Sequence, residues 1–336
     1  MAEPTRVVAL AGDGVGPEVM APTLRLLARE PALRIVERPA GHGAWRQTGQ
    51  TIDEPTLNEA RAADGVLFGA TGTPSPPPES YQSPILLLRR QLGLVANVRH
   101  CRRPGGGGLD VIMVRDCVEG LYSEVERPIA DGYQADYRIT RTVTRALASV
   151  AASFAAGRRG VVTVVHKANV LRHTDGLFRA TAIEELTNAG MSHEEALADA
   201  AGYHLVADPG RYDVMVMTSH VGDILSDVGA AVAGGLGLVP SLTVGDGPPL
   251  AEPIHGSAPD IAGTGAADPV AMMLSAALLA ERLGHHAFAA KLTAAVNAHL
   301  DRRAGSPTTR WRTVEVYDDV ARRLDSLLAT AEAAAG

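Results

Sequence analysis

The run Asp213-Val214-Met215-Val216-Met217-Thr218-Ser219-His220-Val221-Gly222-Asp223-Ile224-Leu225-Ser226-Asp227 constrains this chain more than any other stretch. It opens as an apolar strand and ends in two carboxylates four residues apart. If the chain turns into a helix near Gly222, Asp223 and Asp227 lie one turn apart on one face. Like charges held that close repel unless a cation sits between them. Oxygen-only ligands suit Mg²⁺ or Mn²⁺, which keep positions open for water or substrate. Taken alone, such a pair reads as a solvated helix face or an N-cap aspartate. The strand feeding straight into it, and charged residues closing other strands, lift it above that reading.

Strands and helices alternate along the chain, the pattern of an α/β sheet. Residues 6–10 read as a strand, and Gly12-Asp13-Gly14-Val15-Gly16-Pro17-Glu18 as a glycine turn opening a helix. Pro17 suits a first helical turn and Glu18 the positive helix end. The spacing is G-x-G-x-G rather than G-x-G-x-x-G, a weak nucleotide signal. Strands at 33–36 and 65–69 flank a helix at 54–61. An irregular proline-rich loop at 73–80 precedes a short helix from Pro84 that carries Ile85, Leu86, Arg89 and Arg90. Strands follow at 95–98, ending at Arg99, and at 110–114, ending at Arg115, with a flexible turn at 105–108 between them. Next come Leu121-Tyr122-Ser123, a helix at 141–155, and a strand at 160–165 that ends in His166-Lys167-Ala168-Asn169. A helix is expected at 193–201, containing Asp199, then a hinge at 234–237, a loop at 252–265 and a strong helix at 269–282. Ligands of α/β sheets gather at strand ends, where these charges fall.

Composition narrows the function classes. At 336 residues the chain can bury a large core, and roughly one to three domains are expected. With only four Phe and two Trp, that core must be built from Ala, Val, Leu and Ile. A formal net charge of −7 without a Lys/Arg block argues against nucleic acid as a partner. Cys101 and Cys117 show neither metal spacing nor a disulfide framework, which points to a reduced, cytoplasmic setting. The N-terminus enters a strand at once, leaving no room for a signal peptide. No apolar run reaches membrane-spanning length, that at 271–280 included.

Arg89, Arg99 and Arg115 each read singly as surface or salt-bridge residues; together they suit a di- or tricarboxylate, which arginine grips bidentately. Tyr122 and Lys167 are candidates for proton transfer, against plainer readings as an interface tyrosine and a solvated lysine. His166 and His255 lack ligand spacing and read as structural, and Cys117 reads as packed.

Eight segments then stand in order: Gly12-Asp13-Gly14-Val15-Gly16-Pro17-Glu18-Val19, Leu88-Arg89-Arg90, Ala96-Asn97-Val98-Arg99, Val114-Arg115, Glu119-Gly120-Leu121-Tyr122-Ser123, Val165-His166-Lys167-Ala168-Asn169-Val170, Gly222-Asp223-Ile224-Leu225-Ser226-Asp227 and His255-Gly256-Ser257-Ala258-Pro259-Asp260-Ile261-Ala262-Gly263. Jointly they resemble the isocitrate/isopropylmalate dehydrogenase family of metal-dependent β-decarboxylating dehydrogenases, over residues 6–300. The resemblance implies an α/β fold of two domains with a cleft between them. One would hold residues 1–95 and 235–336 on the cofactor side; the other, 96–234, would carry the dimer interface and metal site.

The resemblance also implies roles. Arg89, Arg99 and Arg115 would hold the carboxylates of a malate-type substrate. Asp223 and Asp227, with Asp199 of a second subunit, would bind Mg²⁺ or Mn²⁺, a Lewis acid for the 2-hydroxyl. Lys167, also from the second subunit, would take the hydroxyl proton as hydride leaves C2. Tyr122, its pKa lowered by a lysine, would return a proton after CO₂ departs. The active unit would be a homodimer with shared sites, acting on a small di- or tricarboxylate. The cofactor would lie on His255, Gly256, Ser257, Ala258, Asp260 and Ile261, with Asp268 in its adenine loop. Asp260 can accept from both hydroxyls of an adenosine ribose and would repel a 2′-phosphate, so NAD is expected.

Several positions depart from the family pattern. Arg115-Asp116-Cys117-Val118-Glu119-Gly120 replaces Arg-Glu-Asn-Thr-Glu-Gly, Thr218-Ser219 replaces Thr-Asn, and Asp268-Pro269 replaces Asn-Pro. His100, Arg102 and Arg103 follow Arg99 where a proline-led segment is common, and residues 304–312 replace a glycine-rich segment. No catalytic group is lost, but the departures mark a specialised relative. For specificity, Ile85 and Leu86 share the helix face of Arg89 and favour an aliphatic substituent. Ser83, in Gln82-Ser83-Pro84-Ile85, resembles the serine of homoisocitrate and isocitrate enzymes. The expected substrate is of the homoisocitrate or isocitrate kind. Isopropylmalate, tartrate or malate, and 3-phosphonomethylmalate are the alternatives, with a non-catalytic regulatory paralogue as the reading from another class.

Overall fold

The computed structural model describes residues 3–78, 80–105, 108–304 and 311–335. The expected turn at 105–108, proline-rich loop at 73–80 and replaced segment at 304–312 each fall partly outside the described residues. From the N-terminus come β1 (Thr5–Gly12), α1 (Gly16–Leu27), β2 (Leu33–Arg38), α2 (His42–Thr48), α3 (Glu54–Ala62), β3 (Gly65–Ala70) and α4 (Pro84–Gln91). Then follow β4 (Leu94–Arg102), β5 (Asp110–Asp116), a 3₁₀ turn (Leu121–Ser123), and the hairpin of β6 (Glu126–Ile129) and β7 (Gly132–Ala135). The middle continues with α5 (Arg141–Ala155), β8 (Val161–His166), α6 (Thr174–Asn188), β9 (Ser192–Leu197), α7 (Ala198–Ala207), β10 (Val214–Met217) and α8 (Ser219–Ala233). The chain closes with β11 (Pro240–Gly245), β12 (Leu250–Pro253), α9 (Val270–Arg282), α10 (His286–Ala304) and α11 (Thr313–Ala335).

These elements form two compact units. The first holds Met1–Leu92, Leu236–Leu242 and Asp246–Gly336; the second, Gly93–Gly235 and Thr243–Gly245. In the first unit the strands lie in the order β2-β1-β3-β12, all pairs parallel. β3 is buried along its whole length and therefore reads as an unbroken apolar run. α9 supplies the facing layer with Val270, Ala271, Met272, Met273, Ala276 and Leu279 all buried. Local chemistry starts the helices: Asp53 caps α3 by accepting from Thr56 N at 2.9 Å, and Pro17 stands in the first turn of α1.

In the second unit the order is β4-β5-β10-β8-β9, with β4 antiparallel to β5 and the other pairs parallel. The sheet is thus mixed. β10, the strand that leads to the acidic pair, is fully buried, and the left-handed Gly234 (φ 117°) ends α8.

Three expectations need correction. The segment at 193–201 is not one helix: β9 occupies Ser192–Leu197, and only from Ala198 does α7 begin, with Asp199 in its first turn. Its Glu-Glu-Ala-Leu is helix-favouring, but register with β8 from Val161↔Ser192 to His166↔Leu197 satisfies the backbone and overrides propensity. The strand expected to end at Arg99 runs on to Arg102, because β5 pairs with it residue for residue down to Arg102↔Asp110. Arg99 therefore projects from mid-strand. The loop expected from residue 252 begins later, since Glu252 and Pro253 finish β12.

Among the described residues no helix is long and apolar enough to cross a membrane. Both cysteines are buried, and burial pushes the Cys101 thiol up to about 12. Neither thiol should react with a disulfide reagent at pH 8 until denaturant is added, as a thiol titration will show. A Cβ on Gly222 would lie 2.4 Å from Arg115 Cβ. Gly222→Ala should therefore cost about 1–3 kcal/mol in urea unfolding; unchanged stability would mean that Arg115 moves aside freely.

Candidate active site

In the second unit, α8 sets Asp223 and Asp227 one turn apart, as the strand-to-helix reading requires. Thr218 is the N-cap and Ser219 the first helical residue, so the helix starts before Gly222. Two arginines face these carboxylates. Arg115, 1% exposed, donates through Nη1 to Asp223 Oδ1. Arg99 reaches Asp227 Oδ1 at 3.3 Å and Asp223 Oδ1 at 3.4 Å. Its aim is fixed by Ser226 Oγ, 2.7 Å from Nη1, and by Asn97 Oδ1, which accepts from Nε at 2.9 Å. Ser226 lies on α8 between the two aspartates and was not among the expected site residues.

Electrostatics separate the two carboxyls. Burial pushes Asp223 upward, but Arg115, a hydrogen bond from Tyr122 and Arg99 outweigh it and hold the group below its usual range. For Asp227 burial prevails: Arg99 offsets it in part, and the charge of Asp223 pushes the same way as burial, so its carboxyl is raised. This is the pattern expected of two like charges in one place. Tyr122 sits among the same charges. Burial pushes the Tyr122 phenol up, Asp223 adds to that, and Arg115, whose guanidinium carbon sits 4.7 Å from the ring centroid, only opposes it. Within one chain burial therefore leaves the Tyr122 phenol raised; the lysine that would lower it is expected from a second copy of the chain.

Lys167 follows β8, and its Nζ donates to Asp199 Oδ1 at 2.7 Å. That hydrogen bond holds the Asp199 carboxyl below its usual range. Asp199 thus joins Lys167 within a chain, and among the described residues no group of three or more His, Cys, Asp or Glu gathers for a metal. Behind Lys167 stands a residue that pattern reading missed. Asp175, fully buried, accepts from Lys167 N at 2.6 Å and from Tyr137 Oη at 3.0 Å. His166, expected to be structural, is buried with its Nε2 3.2 Å from Glu195.

In the first unit, Arg89 is buried on α4 and donates to Glu252 at 2.7 Å. Ser83 is the N-cap of that helix but its side chain makes no capping hydrogen bond. Ser83, Ile85 and Leu86 are all half-buried. The glycine turn explains itself against the 255–261 loop. Val15 N donates to Ser257 O at 2.9 Å, and a Cβ on Gly14 would lie 2.0 Å from that same oxygen. Gly14, at φ 58°, is required both by conformation and by close approach. Asp13 accepts from the backbone nitrogens of His42, Gly43 and Gly72 at 2.7, 2.9 and 3.1 Å.

Glu18 does more than complement a helix end. It accepts from Gly263 N at 2.9 Å and Ala267 N at 3.0 Å, and lies 2.8 Å from the Thr313 hydroxyl. Asp268 accepts from Arg303 and, at 3.1 Å, from Val270 N. Asp260 and Ile261 are exposed, and His255 Nε2 is buried without a hydrogen-bond partner. An orphaned polar atom, on the loop that also carries the exposed acceptor Asp260, fits a polar cofactor better than a closed core.

The sequence profile of the isocitrate/isopropylmalate dehydrogenase family matches residues 6–310. The chain belongs to this family. It is 39% identical over 309 residues to an isocitrate/homoisocitrate dehydrogenase of Thermus thermophilus, covering 90% of this chain and 92% of the relative. It is 37% identical over 330 residues to a 3-isopropylmalate dehydrogenase of Archaeoglobus fulgidus, covering 95% and 99%. Among solved structures, an isocitrate dehydrogenase from Methylococcus capsulatus superposes with a TM-score of 0.89 at 29% identity, over 95% of this chain and 99% of that one. The α/β fold and the class, a decarboxylating dehydrogenase, follow from this membership.

Burial raises the Glu18 carboxyl, but its hydrogen bonds outweigh that and leave it below its ordinary value. A depressed carboxyl stabilises the fold above the ordinary glutamate pKa of about 4.3 and ceases to do so as pH falls through the lower folded value. Glu18→Gln should therefore be less stable than wild type above about pH 5, with the gap narrowing on acidification. Urea unfolding between pH 3 and 7 measures this; a gap independent of pH would contradict it.

Proposed function

We propose that this family member catalyses NAD-dependent oxidative decarboxylation of a 3-substituted (2R,3S)-malate, of the homoisocitrate or isocitrate kind, to a 2-oxo acid. The observation that carries the reading is the meeting of Arg99 and Arg115 with Asp223 and Asp227 beside Tyr122. Arg99 and Arg115 suit carboxylate forks, and Arg89 is the third carboxylate-binding residue. The donor set of Asp223 and Asp227 fits Mg²⁺ or Mn²⁺: oxygen only, with the Asp227 carboxyl raised by burial and, to a lesser degree, by the charge of Asp223. When bound, the cation would polarise the 2-hydroxyl and its neighbouring carboxylate, and NAD would accept hydride from C2.

The remaining work falls to side chains. Lys167 takes the proton from the 2-hydroxyl oxygen as the C2–H bond breaks. The carboxylate on C3 then departs as CO₂, its bonding electrons passing into the enolate, and Tyr122 Oη delivers a proton to C3. The raised phenol of Tyr122 keeps that proton available at neutral pH.

Lys167 and Asp199 act from a second copy of the chain in this reading. Their mutual hydrogen bond supports delivery as a pair. So does exposed apolar surface beside the site residues: Val170 and Leu171 follow Lys167, Tyr203 and Val206 follow Asp199 on α7, and Ile224 adjoins Asp223. Unburied side chains of this size fit a homodimer contact. NAD rather than NADP is supported by exposed Asp260, and an acidic substituent by the uncapping Ser83. Half-buried Ile85 and Leu86 on the helix of Arg89 favour isopropylmalate as the second reading.

NADH formation with Mg²⁺ or Mn²⁺ over isocitrate, homoisocitrate, isopropylmalate, tartrate, malate and 3-phosphonomethylmalate, repeated with NADP, tests the reading. Homoisocitrate or isocitrate should turn over fastest, and with NAD. An isopropylmalate preference would give the pocket to Ile85 and Leu86; silence across the panel from a folded dimer would favour the non-catalytic paralogue. Lys167→Ala and Tyr122→Phe should each lower kcat roughly 10²–10⁴-fold with little change in unfolding midpoint. Preserved turnover in both would remove their proton roles.

A further inference from the structure

Helices α10 and α11 of the first unit form an open groove of about 570 Å³ whose lining includes Ala298, Arg302, Asp319, Arg322, Arg323 and Ser326. No step above uses it. Asp319, 3% exposed, is its pivot: it accepts from Arg302 at 3.0 Å, Arg322 at 3.1 Å, Arg323 at 3.1 Å and His299 Nδ1 at 2.9 Å. A carboxylate offers about four lone-pair sites, so these donors exhaust it. Three guanidinium charges thus meet one carboxylate charge, in a chain whose net charge is −7. Arg322 and Arg323 stand three and four residues beyond Asp319 on α11, an ordinary helix-surface pairing by themselves. Arg302, however, reaches across from α10, braced 5.2 Å over the Trp311 ring. Alanines on α10 keep the wall between the cations open, and each guanidinium keeps further N–H donors beyond the one Asp319 takes.

The same two helices hold the loop that precedes α9. Arg303, next to Arg302, donates to Asp268. Arg312 donates to Thr264 O at 3.0 Å, and the Thr313 hydroxyl lies 2.6 Å from Ala267 O.

We propose that this groove is a second ligand site, for a small oxyanion carrying at least two negative charges, and that its occupancy steadies the loop at 263–268. Excess positive charge selects a dianion, and the forked guanidiniums select phosphoryl or carboxylate oxygens. A groove of this size accommodates a metabolite rather than a lone ion. The effect on the loop rests on the reading of that loop as cofactor-binding; the binding itself does not.

The test uses the full-length protein without divalent metal, at constant ionic strength. Inorganic pyrophosphate and citrate are titrated calorimetrically and by thermal unfolding, against NaCl. At least one should bind saturably and raise Tm, and the one that binds tells a phosphoryl from a polycarboxylate ligand. Arg322→Gln/Arg323→Gln and, separately, Arg302→Gln should each weaken that binding at least tenfold. Arg322 is largely exposed, so Arg322→Gln alone keeps the test alive if the double variant misfolds. A Tm rise matched by NaCl, no saturable binding, or binding unaltered by these substitutions overturns the site. NADH binding is then followed by fluorescence with and without the bound anion, with at least a threefold change in Kd expected. If NADH binds and its Kd does not change, the loop effect is wrong. If the wild type binds no NADH, the cofactor reading fails while the anion site stands on its own titration.

Discussion

The contact between Arg115 and Asp223 is the constraint on which the second unit depends. Arg115 is 1% exposed on a strand buried over most of its length, and a guanidinium in such a place needs a charged partner close by. α8 provides it, and Gly222 leaves out a Cβ that would collide with the Arg115 side chain. β10 sets where α8 begins. Arg99 repeats the arrangement one strand over, with Ser226 and Asn97 fixing its aim. Two guanidiniums and two carboxylates therefore balance before anything binds. On the proposed reading, a divalent cation would take the aspartates and two of the substrate's carboxylates would take the arginines in their place, preserving that balance, with the third carboxylate left to Arg89. Such an exchange of partners, rather than fresh burial of charge, would keep the desolvation cost of binding low.

A second layer consists of buried or half-buried carboxylates that grip backbone nitrogen. Asp175 holds the Lys167 amide, Asp13 gathers three amides around the first glycine turn, and Glu18 clasps two amides of the loop before α9. Each pins a segment next to residues of the proposed site or cofactor loop. Such charge-assisted bonds to backbone are strong, and they order loops that have little apolar surface of their own.

Much of this was legible in the sequence, for identifiable reasons. Fully buried strands such as β3 and β10 announce themselves as apolar runs, and α5 matched its expected bounds because Thr140 caps it and its apolar stripe is regular. Asp223, Asp227, Arg99 and Arg115 were legible because charges at the ends of apolar runs are conspicuous. What pattern reading missed lies in tertiary pairing. β9 carries helix-favouring residues and is a strand only because β8 lies beside it. Asp175, Glu252 and Ser226 look like ordinary polar residues until the fold gives Lys167, Arg89 and Arg99 to them. The direction of the Tyr122 shift could not be read locally, since burial and Asp223 determine it from elsewhere in the fold.

On the proposed reading, Asp223 and Asp227 form a cation site completed by substrate and by a second copy of the chain. Calorimetric titration of Mn²⁺ into the protein, with and without homoisocitrate, in wild type and in Asp227→Asn, tests it most directly. One ion per site is predicted, bound more tightly with the acid present, and lost or at least tenfold weaker in the variant. Equal Mn²⁺ affinity in wild type and Asp227→Asn, or no coupling to any acid that turns over, would contradict the account.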